Sequence, residues 1–92
     1  MKIRELYEKA IEVWGIHAQL DMVQEECAEL IVAVGHLKRD RKLPEFVADE
    51  VADVEIMCGQ MRVILGDRLV DEAVARKLKR LEGRLEEERI NR

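Results

Sequence analysis

Glu26, Glu29, Glu50 and Asp53 form two matched pairs of carboxylates in a chain of 92 residues. Each pair is spaced i,i+3, which places both of its acids on one face of a helix. The stretches that carry them, QEECAELIVAVGHL and EFVADEVADVEIMCGQM, are apolar on one side, and the segment between them, RDRKLPE, is short and polar with the only proline. If the two helices fold back on each other, residues that face across the pair share a constant sum of residue numbers. Glu26 with Asp53 and Glu29 with Glu50 both sum to 79, so the spacing predicts that the four acids meet at one level. Four carboxylates in one place repel strongly unless a cation sits among them. A hard divalent metal fits that need. Mg²⁺ takes oxygen ligands in near-octahedral geometry and keeps several waters, which leaves positions open for substrate phosphates. Two such ions can clamp a displacement at phosphorus, one activating water and the other stabilising the leaving oxygen.

Other metal chemistries fit less well. Di-iron sites on helices use Glu-x-x-His motifs, and neither His17 nor His36 stands three residues after a Glu. Cys27 and Cys58 are the only cysteines, and their spacing matches no zinc or redox motif. They read as two buried thiols on helix faces. A single Glu on a helix reads as part of a solvated face, since Glu is rarely buried. This set differs because its members border the apolar seams: Glu26 and Glu29 adjoin Cys27 and Leu30, and Glu50 and Asp53 adjoin Val51 and Val54.

The elements that must position the acids follow from periodicity. Ile3, Leu6, Tyr7 and Ala10 predict a helix over 3–14, closed by Gly15. Leu20, Val23, Cys27, Leu30, Val34 and Leu37 recur at steps of three and four and predict a second helix over 18–38. Pro44 suits a first helical turn. From there Val47, Val51, Val54, Cys58, Met61 and Leu65 predict a third helix to near Gly66, with a second stripe of Phe46, Glu50, Asp53, Met57 and Ile64 beside the seam. Val74, Leu78, Leu81 and Leu85 predict a fourth helix from residue 67 or 71 toward 89, and the charged end, LEEERINR, is expected to fray. The expectation is one all-α domain over 1–92: an antiparallel four-helix arrangement of two long metal-binding helices flanked by a shorter one on each side. A bundle this small with more than one apolar face is expected to self-associate, as a homodimer or homotetramer.

Composition narrows the function. Aromatics are 3% of residues against 48% apolar overall, so the core must be aliphatic and suits packed helices. The net charge of −4 argues against sequence-independent nucleic-acid binding, which needs a basic surface, but not against a nucleotide held through metal ions. No apolar run is long enough to cross a membrane. The opening MKIRELYEKA is charged throughout and does not read as a signal peptide, so a cytoplasmic location is expected.

Glu25-Glu26-x-x-Glu29 followed by Glu50-x-x-Asp53 resembles the EExxE…ExxD signature of MazG-type nucleoside triphosphate pyrophosphohydrolases. The surroundings WGIHAQLDMVQEECAELIVAV, DEVADVEIMCGQM and KLKRLEGRL look similar too, so the resemblance runs from about residue 14 to 85. It implies an all-α fold and Mg²⁺-dependent hydrolysis of an NTP or dNTP between the α- and β-phosphates, giving a nucleoside monophosphate and pyrophosphate. It implies Glu26, Glu29, Glu50 and Asp53 as metal ligands. Glu25, matching the first motif Glu, would bind a second ion or polarise the attacking water beside Glu26. Lys77 and Arg80 stand where family members carry cations that touch phosphates; alternatively both are surface residues. Lys38, Arg39, Arg41 and Lys42 read as solvated hairpin residues far from the acids. Trp14 either stacks on a base or anchors the first helix in the core, the second being favoured. Gln19 and His17 lie nearby and could read base edges. The competing reading is a non-catalytic helical oligomerisation or regulatory module that keeps the fold; a structural metal-binding bundle is a third.

Overall fold

The computed structural model describes residues 1–91, and Arg92, the last residue of the charged end, lies outside them. Among the described residues there are four helices and no strand: α1 (Ile3–Trp14), α2 (Ile16–Lys38), α3 (Pro44–Leu65) and α4 (Asp67–Asn91). No described helix is long and apolar enough to cross a membrane.

The joints explain the boundaries. Gly15 (φ 89°) and Gly66 (φ 92°) adopt a backbone conformation that costs glycine little. Each closes one helix through an N–H bond to the carbonyl four residues back, 2.8 Å in both cases, and the next helix begins at once. That is why α2 starts at Ile16, two residues earlier than periodicity alone places it. The α2–α3 hairpin is built differently. Asp40 takes the left-handed conformation (φ 55°), which Asp tolerates. The N–H groups of Arg39 and Arg41 return to the His36 carbonyl and that of Asp40 to Leu37, so two of the carbonyls that the end of α2 leaves open are satisfied. Leu43 is extended, as a residue before proline must be, and Pro44 opens α3.

α2 and α3 form the principal helix pair, with the register expected from the acids. Gln19 and Gln60, which also sum to 79, are both buried, at 4% and 5% exposure. Met22 and Met57 line one cleft, and Ala33 and Phe46 line another. The inward stripe of α3 runs through Val47 and Met57, which are buried, and Glu50, Val54, Met61 and Ile64, which are half-buried. Val47, Val54 and Met61 of the expected seam lie on this stripe, but Val51, Cys58 and Leu65 are exposed and Glu50, Met57 and Ile64 take their places. The two stripes on α3 are adjacent, and period alone does not say which of them turns inward. Cys58 is therefore exposed and Cys27 only half-buried, in contrast to the expected buried thiols.

α1 lies against α2 and α3. Its Tyr7 ring sits over Gly59 so closely that a Cβ at Gly59 would overlap ring carbons. α4 behaves differently. It is the longest helix, with 25 residues, and its backbone comes close only to α3. Arg62 holds its first turns through Asp71 (2.6 Å) and Asp67 (3.5 Å), and Arg4 reaches Asp67 (2.6 Å). Beyond that root its apolar stripe is exposed. Within one chain α4 thus does not flank the α2–α3 pair as the sequence pattern suggests. The molecule is extended, with a radius of gyration of 16.6 Å.

Candidate metal centre and its flanking clefts

Glu26 and Glu29 enter from α2 and Glu50 from α3. One carboxylate oxygen of each lies within 4.8 Å of the others. The helical i,i+3 step brings the first two to one face, and the hairpin register brings the third to their level. Two oxygens bound to one Mg²⁺ at about 2.1 Å are about 2.9 to 4.2 Å apart, so small side-chain rotations let this group close on an ion. The electrostatics show uncompensated charge. Glu26 and Glu50 are both raised above the usual carboxylate pKa, first by loss of hydration and then by the negative charges of Glu29 and Asp53. One oxygen of Glu26 and one of Glu50 are shielded from solvent without any hydrogen-bond partner. Orphaned acceptor oxygens facing other carboxylates suit a cation with oxygen preference.

The remaining acids are less central. Asp53 is exposed and outside the group of three, though near enough to bear on Glu26 and Glu50. Glu25 is exposed and also outside the group.

Along the hairpin the acids lie between two clefts. Toward the end of α2, a cleft of about 480 Å³ shares Glu29 and Glu50 with the acid group and is completed by Val32, His36, Lys42 and Phe46. Lys42 Nζ stands 5.1 Å from the Phe46 ring centroid, a cation–π contact. His36 Nδ1 is shielded and unpartnered. The sequence reading set Lys42 far from the acids; the hairpin turn instead brings it to their cleft. His36 and Phe46 were also missed as site residues. The signal was available: His36 lies seven residues, two helical turns, beyond Glu29, and Phe46 one turn before Glu50. Toward the start of α2, a cleft of about 590 Å³ is lined by Trp14, Gln19, Met22, Met57 and Gln60. It unites Trp14 with Gln19 as the sequence suggested and adds Gln60, whose Oε1 is shielded and has no partner. Trp14 is 65% exposed, so it is not the core anchor that was favoured. His17 is exposed and lines neither cleft. Lys77 and Arg80 are exposed on the part of α4 that leaves the body. The backbone of α4 comes close only to α3, so within one chain the two are not gathered with the acids.

Comparison with protein-family models, with curated proteins and with solved structures gave no match.

Proposed function

We propose that the chain is a MazG-type pyrophosphohydrolase that cuts an NTP or dNTP between the α- and β-phosphates, dependent on Mg²⁺, with Mn²⁺ as a substitute. The observation that carries this reading is the convergence of Glu26, Glu29 and Glu50, from two facing helices, within 4.8 Å. The spacing of those acids, and of Asp53 beside them, matches the family signature. The bound metal would neutralise triphosphate charge and lower the pKa of a coordinated water.

The chain's own residues supply the rest. Lys42 borders the cleft that contains Glu29 and Glu50, and its ammonium can take β- or γ-phosphate oxygens as a point charge. In the other cleft the Trp14 ring offers a stacking face. The buried amides of Gln19 and Gln60 offer both donors and acceptors to the edge of a base. Glu26, with Glu25 next to it, takes the proton as the water oxygen bonds to the α-phosphorus. The bond from that phosphorus to the bridging oxygen then breaks, and pyrophosphate leaves.

A panel of NTPs and dNTPs with Mg²⁺, scored for pyrophosphate and monophosphate, tests this directly. Release of both products is expected, with loss of turnover and unchanged helicity in Glu26→Gln. Orthophosphate as the direct product, or turnover that persists in chelator, would sink the reading. The second reading, a non-catalytic helical interaction module, draws on the open apolar surface of α1 and α4. Absence of turnover with every nucleotide would favour it.

A further inference from the structure

Two carboxamides are buried at one level of the α2–α3 pair. Gln19 and Gln60 are the only buried polar side chains among the described residues, at 4% and 5% exposure. Both line the cleft of about 590 Å³ that also holds Trp14, Met22 and Met57. The Nε2 of Gln60 donates to the Met57 sulfur at 3.9 Å. Its Oε1 is shielded from solvent and has no partner. A buried acceptor without a partner is costly, and a ligand donor that reaches it offsets that cost.

The sulfur decides which way the amide of Gln60 points. A thioether accepts weakly and cannot donate. Turning the amide over would set Oε1 against the sulfur, acceptor to acceptor, so the oxygen stays on the far side. Gln60 therefore meets a ligand as an acceptor. Gln19 carries both a donor and an acceptor and can present either to the same ligand. Met22 and Met57 are unbranched and yield to an entering ring, and the exposed Trp14 offers its face. Seven residues separate Gln19 from Glu26 on α2 and Asp53 from Gln60 on α3. That is about 10 Å along the hairpin at 1.5 Å per residue. A phosphate held at the acids thus leaves room for a sugar before the base meets the amides.

We infer that Gln60 makes this cleft selective for a nucleotide whose base carries an exocyclic amino group beside a ring-nitrogen acceptor. Cytosine and adenine have that edge. Uracil and hypoxanthine place a carbonyl oxygen where the amino group would be. The inference rests on the nucleotide reading of the site, though not on which bond is cut. The amino group donates to Oε1 of Gln60, and the neighbouring ring nitrogen accepts from the amide of Gln19. A carbonyl in place of the amino group faces Oε1 with lone pairs opposed, and the Met57 sulfur keeps the amide from turning to suit it.

Trp14 is the only tryptophan and lines the cleft, so its fluorescence reads occupancy without turnover. Titrations of the purified chain with CMP, UMP, AMP and IMP in Mg²⁺ test the inference. CMP should bind at least about tenfold more tightly than UMP, and AMP than IMP, since the wrong partner leaves buried polar groups unpaired. Gln60→Leu should bring both ratios close to one. Met57→Leu keeps the apolar volume and removes the sulfur acceptor. It should narrow both ratios by strengthening UMP and IMP, a gain that loosening of the core does not produce. Parent ratios near or below one, ratios that survive Gln60→Leu, or no binding of any of the four overturn the inference. Steady-state assays with the triphosphates separate it from the hydrolytic reading. Binding with these ratios but no pyrophosphate from any triphosphate removes hydrolysis and leaves the selectivity. Equal kcat/KM for CTP and UTP, and for ATP and ITP, leaves hydrolysis and overturns the selectivity.

Discussion

Replacing Glu29 by Gln separates a metal centre from an ordinary acidic face. Glu29 is the shared member of the group, within reach of both Glu26 and Glu50. Without metal the substitution removes a charge that disfavours ionisation of two neighbours, so the metal-free protein should melt at a higher temperature than its parent. With metal the order should reverse. At a free Mg²⁺ or Mn²⁺ concentration 100 times the dissociation constant, linkage adds about 2.7 kcal/mol to the parent. If loss of one of three ligand carboxylates weakens binding about tenfold, the same metal concentration adds only about 1.4 kcal/mol. For a domain of this size each kcal/mol moves Tm by about 4 to 8 °C, so the metal-induced shifts should differ by at least about 5 °C. The pH dependence has a definite sign. Glu26 and Glu50 are raised in the folded chain. The stability they contribute is full below the ordinary carboxylate pKa and is lost as pH rises through their raised values. The metal-free protein should therefore lose stability through these two groups as pH rises above the ordinary carboxylate range. The metal-induced shift should grow over the same interval as protons stop competing for the ligands. Differential scanning fluorimetry over a pH series that starts at the ordinary carboxylate pKa and rises from there, with and without metal, reads all of this. A parent whose Tm ignores both metals, or a Gln variant that responds equally, would refute the reasoning.

Two further outcomes probe the surroundings. Lys42→Ala should raise KM for nucleotide about tenfold or more while leaving the metal-induced Tm shift intact, since the ammonium borders the cleft but cannot ligate a cation; an unchanged KM in a steady-state pyrophosphate assay removes Lys42 from the site. Gly59→Ala should destabilise by up to about 2 kcal/mol in urea unfolding, because overpacking against the Tyr7 ring costs about 1 to 3 kcal/mol and the helix-propensity gain returns only about 1 kcal/mol; Gly83→Ala, where an added Cβ meets nothing, should be neutral or stabilising.

The helices, and the level at which Glu26, Glu29 and Glu50 meet, are legible in the sequence alone. Both are local or nearly so: a helix repeats every 3.6 residues, and a five-residue link leaves α2 and α3 only an antiparallel return with a narrow choice of register. Gln19 with Gln60 and Glu29 with Glu50 obey that register without further information. Tertiary structure decided which face of α3 turns inward. Its two apolar stripes are neighbours of similar content, and only packing against α1 and α2 places Glu50 and Met57 inside and Cys58 and Val51 outside. It also decided which cations approach the acids. The Asp40 turn carries Lys42 back to their cleft, while the glycine joint at Gly66 sends Lys77 and Arg80 outward on α4. Periodicity announced that α4 has a stripe to bury. It carries no information on whether the surface that buries it belongs to the same chain, because the hydrophobic effect is non-directional and rewards burial in either place.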